Sequence, residues 1–216
     1  LIFSLPPAAI LTDIEGTTTP IAFVHDVLFP YARARLPDFL AAHAAENLPD
    51  LATLLGWMDR DEKIPVLKDI QGRIWESGYR SGEIKGVIYP DVPPVLQRWA
   101  KAGMRLYVYS SGSIAAQKLL FGCSDAGDLT PFFQGFFDTG VGPKRDAASY
   151  SLICRGANIS PGEFLFLSDV EAELDAAASA GLQTCQLARP ADGTAPSTRH
   201  RVAAHFGEIS LRAQTS

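Results

Sequence analysis

Ala8-Ala9-Ile10-Leu11-Thr12-Asp13-Ile14-Glu15-Gly16-Thr17-Thr18 is the stretch whose reading decides the fold. A short apolar run without alternation suits a strand buried on both faces of a parallel sheet, and here it stops at polar residues. Two more runs have the same form. Leu106-Tyr107-Val108-Tyr109 leads into Ser110-Ser111-Gly112, and Phe164-Leu165-Phe166-Leu167 leads into Ser168-Asp169. Gly135-Phe136-Phe137-Asp138-Thr139 and Gln183-Thr184-Cys185-Gln186-Leu187 are weaker strand candidates.

Helical signals lie between these runs. Asp91 is placed to cap a helix with Pro93 and Pro94 in its first turn, Val95, Leu96 and Trp99 on one face, and Gly103 as its stop. Further helices are expected over Ile114 to Phe121 and over Ala172 to Ala180, the latter ending at Gly181. Strand–helix alternation from about residue 90 onward argues for an α/β parallel sheet with right-handed crossovers. The texture differs before that point. Leu67, Ile70, Ile74 and Trp75 recur at helical spacing in a segment continuing to Tyr79, with no strand signal of comparable strength nearby. The expected organisation is an α/β core of residues 1–20 and 90–216, with a helical cap of residues 21–89 inserted after the first strand. The segment from Arg189 to Ser197 reads as loop, followed by a final helix.

Composition narrows the function classes. The chain has 216 residues, 47% of them hydrophobic and 20% charged, as in a packed globular protein. Its net charge of −5 argues against a nucleic-acid or anionic-membrane binder held by bulk charge. No apolar run approaches the ~18 residues needed to span a bilayer, and no signal-peptide pattern is visible. The expectation is a cytoplasmic protein, although the sequence starts at Leu1 rather than Met. Cys123, Cys154 and Cys185 are isolated and odd in number, which suits reduced thiols rather than a disulfide framework or metal knuckle. P-loop and dinucleotide fingerprints are absent.

Ligands of open α/β sheets bind beyond the carboxyl ends of the strands. The three strong strands place Asp13, Ser110-Ser111 and Asp169 there. Asp13 and Glu15, followed at once by Gly16 and hydroxyls, suit a tight loop facing an anion and a metal, although the same residues form ordinary turns. Ser110-Ser111-Gly112-Ser113 precedes a helix, where free N–H groups and hydroxyls bind phosphate; a plain serine cap has the same sequence. Asp169, Glu171 and Glu173 cluster at a strand end, where the helix dipole alone also favours acids. Lys144, in Gly142-Pro143-Lys144-Arg145, has the look of a solvated lysine when taken singly.

Together, the order Asp-x-Glu-Gly-Thr, Ser-Ser-Gly, Lys, Asp resembles the haloacid dehalogenase-like phosphohydrolases. A closer likeness lies in Asp13-Ile14-Glu15-Gly16-Thr17-Thr18-Thr19-Pro20-Ile21, Phe29-Pro30-Tyr31-Ala32, Tyr109-Ser110-Ser111-Gly112-Ser113 and Gln117-Lys118-Leu119-Leu120-Phe121-Gly122. These stretches, with Gln71-Gly72, Trp75 and Tyr89-x-Asp91-Val92, resemble the enolase-phosphatases of methionine salvage. The resemblance implies a Rossmann-like core and one Mg²⁺ per chain, held by Asp13, Asp169 and the backbone carbonyl of Glu15. It implies Asp13 as nucleophile, and Lys144, Ser110 and Ser111 as phosphate ligands. Glu173 is expected to act from behind the metal, orienting water around it. The substrate would be 2,3-diketo-5-methylthiopentyl-1-phosphate, enolised and then dephosphorylated by a monomeric enzyme.

Most phosphatases of this superfamily carry a second aspartate where this chain has Glu15, the residue that protonates the leaving alkoxide and then activates water. Glutamate reaches one methylene farther and is also a candidate for proton transfer at carbon. Phe23, Trp75 and Tyr79 are candidates for lining an apolar substrate tail, with core packing as the competing role. The four histidines show no metal-ligand spacing. A plain sugar-phosphate or phosphoglycolate-type phosphatase and a catalytically silent binding module remain as competing readings. A dehalogenase needs no metal, so Asp169 and Glu173 speak against it.

Overall fold

The computed structural model describes residues 6–62 and 64–211, so the outermost ends assigned to the core, residues 1–5 and 212–216, lie outside the described residues. Six parallel strands form one sheet in the order β3-β2-β1-β4-β5-β6. They are β1 (Ala9–Thr12), β2 (Arg105–Tyr109), β3 (Phe133–Phe137), β4 (Phe164–Ser168), β5 (Gln183–Leu187) and β6 (Arg201–Ala203). The three apolar runs are the three central strands, and β1 lies between the other two. Thr12 is level with Val108 of β2 and Leu167 of β4, so Asp13, Ser110 and Asp169 emerge at one edge.

Alternation along each strand divides the core between the two faces of the sheet. Ile10, Val108 and Leu167 pack with Val95 and Trp99 of α5 (Val92–Lys101) and Phe121 of α6 (Ile114–Gly122). Leu11, Tyr107 and Phe166 face the other way, toward Tyr150 and Ile153 of α7 (Ala147–Ala157) and Leu174 of α8 (Glu171–Ser179). The result is three layers, helix–sheet–helix.

Between β1 and α5 the chain is helical. α1 (Ile21–Phe23) runs through a wider π-helical turn, Val24–Leu28, into α2 (Phe29–Ala42). α3 (Leu51–Asp59) and α4 (Pro65–Ser81) follow. Asp50 caps α3 by accepting from Thr53 N–H at 2.7 Å, and Gly82 ends α4 at φ +77°. Leu36, Leu54, Leu67, Ile70 and Ile74 make a small core among these helices, separate from the two on the sheet.

Three expectations need correction. The third strand begins at Phe133, so its Phe-rich run is entered two residues earlier than Gly135. No α-helix follows Ser197 among the described residues; the chain instead makes edge strand β6 and a single 3-10 turn, Phe206–Glu208. Asp91 starts α5 without capping it through its side chain. Its carboxylate accepts from Arg189 Nη1 at 2.7 Å and from Phe206 N–H at 2.8 Å, stronger partners supplied by the far end of the chain. The three cysteines are unpaired, as their spacing suggested.

Candidate active site

The loop after β1 winds tightly around the Ile14 carbonyl, which accepts from the N–H groups of Thr17, Thr18 and Thr19 at 3.1, 2.8 and 2.9 Å. Gly16 sits at φ +70°, and a Cβ there would lie 2.5 Å from Asp169 Oδ2. Only glycine permits both that backbone turn and the close approach of the Asp169 carboxylate. Thr17 Oγ1 accepts from Asp169 N–H at 3.1 Å, so the loops after β1 and β4 are joined directly.

A buried ion cluster occupies this junction. Lys144 Nζ lies 2.7 Å from Asp13 Oδ1 and 2.6 Å from Glu173 Oε2. Asp13 Oδ1 also accepts from Ile14 N–H at 2.7 Å, and Ser168 Oγ donates to Glu173 Oε2 at 3.0 Å. Burial works against the Lys144 charge, but Asp13 and Glu173 outweigh it and hold its pKa above the ordinary lysine value. Burial, with the Asp13 charge next in weight, pushes Glu173 upward, and Lys144 opposes the shift. Glu173 thus shares the Lys144 ammonium with Asp13.

For Asp169 the opposing contributions, a backbone hydrogen bond and the more distant Lys144 charge, are outweighed. Burial and then repulsion from Asp13 raise its pKa to about 7, and its Oδ1 is buried without a hydrogen-bond partner. That orphaned oxygen, in an acidic loop beside Asp13, is what a cation-binding position requires. No cluster of three or more His, Cys, Asp or Glu side chains suited to a metal occurs among the described residues. Mg²⁺ does not need one, since it is commonly held by one or two carboxylates, with substrate phosphate and water completing the shell. The neighbouring carboxylates Asp13 and Asp169 fit that requirement.

Ser110 and Ser111 lie between β2 and α6, whose cap is Ser113, accepting from Ala116 N–H at 3.2 Å. Gln117 fastens this loop from behind, donating to the carbonyls of Gly112 at 2.7 Å and Phe137 at 2.9 Å. Above it opens a cleft of about 320 Å³ between the serine loop and the inserted helices, lined among others by Glu15, His25, Lys68, Gln71 and Trp75. Of the three tail-lining candidates, Trp75 and Tyr79 line this cleft and Phe23 does not. Phe23 is buried in the core, and Tyr79 is buried too.

Several residues here escaped the sequence reading. His25 Nε2 lies 3.1 Å from Glu15 Oε1. The π-helical turn that carries His25 is an irregularity often found at functional sites, and no residue-type signal announces it. Lys68 Nζ donates to the Ser111 carbonyl at 3.1 Å, spanning the cleft. Arg189 is buried and donates to the Thr17 carbonyl through Nε and Nη2, at 3.2 and 2.7 Å. Through Thr17 and Asp91 this one side chain ties together both places where the chain crosses into the inserted helices. Asp192 adds to the tie by accepting from Tyr89 Oη and, at 3.3 Å, from Ile21 N–H. An arginine beside Pro190 gave no such hint in sequence.

The family model for haloacid dehalogenase-like hydrolases matches residues 7–181. The chain is 53% identical to Enolase-phosphatase E1 of Granulibacter bethesdensis, covering 93% of this chain and 94% of that protein. It is 54% identical to Enolase-phosphatase E1 of Pseudomonas fluorescens, covering 83% and 88%. The crystal structure of the UTR4 protein of Saccharomyces cerevisiae superposes with a TM-score of 0.81 at 35% identity, covering 94% of this chain and all of that one. CbbY from Rhodobacter sphaeroides, solved with phosphate, shares the fold at a TM-score of 0.67 and 18% identity, covering 94% and 96%. The chain belongs to the enolase-phosphatases, within the haloacid dehalogenase-like hydrolases.

Proposed function

We propose that the chain is a Mg²⁺-dependent enolase-phosphatase of methionine salvage. It enolises 2,3-diketo-5-methylthiopentyl-1-phosphate and then releases phosphate, giving the acireductone 1,2-dihydroxy-3-keto-5-methylthiopentene. The observation that carries the phosphatase half is the Asp13–Lys144–Glu173 cluster at the end of the central strand. A carboxylate held by a buried ammonium, itself steadied by a second carboxylate, is a positioned nucleophile with countercharge beside it.

In this reading the Asp13 carboxylate attacks phosphorus as the bond to the ester oxygen breaks, leaving an aspartyl-phosphate. Lys144 offsets the charge gathering on the phosphoryl oxygens. The Ser110 hydroxyl and the Ser111 N–H bind phosphate oxygens, and the Gln117 contacts keep that loop in place. Glu15 reaches into the cleft from the same loop as Asp13. It removes the proton from carbon, protonates the leaving oxygen, and then activates the water that hydrolyses the aspartyl-phosphate. Asp13, Asp169 and the Glu15 carbonyl would hold Mg²⁺, which when bound would supply positive charge against the repulsion between an anionic nucleophile and a dianionic phosphate.

Residues 21–89 act as the cap that closes the cleft against water. We further propose that it acts as a monomer in the cytoplasm; no described helix is long and apolar enough to cross a membrane. The test is phosphate release from the diketone phosphate beside a panel of plain phosphate monoesters, each with and without Mg²⁺. The reading requires Mg²⁺-dependent turnover with the diketone phosphate preferred. Equal rates across the panel would leave a general phosphatase.

A further inference from the structure

α4 presents a stripe of changing polarity to the cleft. Lys68, Gln71 and Trp75 are spaced three and four residues apart, which keeps them on one helix face, and all three line the cleft. Trp75 gives its indole N–H to the Leu28 carbonyl at 2.8 Å, so what it offers a ligand is its ring. Leu28 and Leu120 line the cleft as well, making that part of it apolar. The stripe becomes polar toward the serine loop. Lys68 is half-buried, and one N–H of its ammonium goes to the Ser111 carbonyl at 3.1 Å, which leaves two more for a ligand. Gln71 is only 6% exposed, and its amide has no hydrogen-bond partner among the described residues. Its amide opens onto the cleft, so its N–H groups are available to a ligand there.

We propose that Lys68 and Gln71 form a subsite for two neighbouring carbonyl oxygens of the substrate, with Lys68 pairing to the oxygen on which charge develops. The inference rests on the functional reading above and extends it to a site on the inserted helices. With the phosphate at Ser110 and Ser111, the next atoms of the substrate lie beneath Lys68, because Lys68 is bonded to that same loop. The carbonyl adjacent to the phosphate-bearing carbon falls there, and the second carbonyl falls near Gln71, toward the apolar part of the cleft. During enolisation the proton leaves the phosphate-bearing carbon for Glu15. The C–H electron pair forms the new C=C bond, and the π pair of the neighbouring C=O moves onto oxygen. The Lys68 ammonium stabilises that oxyanion, and the Gln71 N–H binds the carbonyl that remains. Neither group touches phosphorus, so both read the substrate rather than the leaving reaction.

The experiment compares Lys68→Met, Lys68→Arg and Gln71→Met with wild type on two substrates, the diketone phosphate and heptyl phosphate, which has the same chain length and no carbonyl. The readout is the ratio of the two kcat/KM values, together with the rate at which near-ultraviolet enol absorbance rises. Lys68→Met is expected to lower the ratio about a hundredfold, as loss of one donor to a developing oxyanion does elsewhere. It should slow the enol signal by a similar factor. Lys68→Arg should recover part of the ratio, and Gln71→Met should lower it about tenfold, the smaller loss expected of a neutral donor. An unchanged ratio in Lys68→Met would overturn the proposal, since a lysine that merely braces Ser111 affects both substrates alike. If wild type releases phosphate from the diketone without any enol signal, the enolase reading fails instead, and the ratio still decides whether Lys68 recognises carbonyl oxygens.

Discussion

The two walls of the cleft are built on opposite principles. On the sheet side, Asp13, Lys144 and Glu173 are buried, both carboxylates lie within 2.7 Å of the Lys144 ammonium, and the loops after β1 and β4 are fastened to one another. On the helical side, His25 is about half in solvent and meets the Glu15 carboxylate of the opposite wall at 3.1 Å, and Lys68 reaches across on one hydrogen bond. A buried, paired cluster is fixed before substrate arrives and loses little freedom on binding. An open, sparsely bonded wall can part to admit substrate and then close on it. In the proposed reading, phosphorus chemistry falls to the rigid wall and substrate discrimination to the yielding one.

The largest effect should come from removing the nucleophile on the rigid side. Asp13→Asn keeps the shape of the cluster but is expected to lower phosphate release by about 10⁴-fold or more, with an unchanged circular dichroism spectrum. Turnover within tenfold of wild type would rule out the covalent route.

Lys144→Ala is the next test, because it attacks both catalysis and architecture. Activity should drop about a hundred- to a thousandfold. Stability should drop as well, by about 3 kcal/mol on urea unfolding, since two buried carboxylates lose their shared cation. Lys118→Ala serves as the comparison. Its ammonium lies 5.8 Å from the centre of the Phe136 ring, away from the cluster, and both activity and stability should stay near wild type. Equal, mild effects of the two substitutions would remove Lys144 from the site.

Asp169 gives a smaller effect that depends on pH. Its folded pKa of about 7 lies above the ordinary 3.8, so between those values the folded chain retains a proton that the unfolded chain has released. Its contribution to metal-free stability therefore falls as pH rises from about 4 to about 7 and levels off above that. Mg²⁺ favours the ionised form and should restore the loss. The difference in Tm between wild type and Asp169→Asn, followed across this range in chelator and then in Mg²⁺, should show that slope and its reversal. A variant that keeps the full Mg²⁺-induced rise in Tm would remove Asp169 as a ligand.

The contrast between the walls also governs what the sequence disclosed. β1, β2 and β4 were legible because strands buried on both faces must be apolar throughout, and the acids and serines at their ends then fell at one edge. β6 is three residues long at the sheet edge, with only one of them buried, too brief and too polar to leave a periodic trace. Asp91 carried the local signature of a cap, yet a buried arginine 98 positions away claims its carboxylate. Lys144 looked like a solvated lysine, and only its place in an ordered set of motifs marked it. Gln71 entered only as part of the family resemblance, with no chemical role attached, and Lys68 did not enter at all. Their importance arises from where α4 packs, a long-range fact that helical spacing alone does not contain.

The most direct test is a single-turnover time course of wild-type enzyme with the diketone phosphate, following near-ultraviolet absorbance and free phosphate together. If one cleft performs enolisation and then dephosphorylation, enol absorbance rises first and phosphate follows after a measurable lag. Phosphate released from the start with no enol signal, yielding the unenolised diketone alcohol, would contradict it.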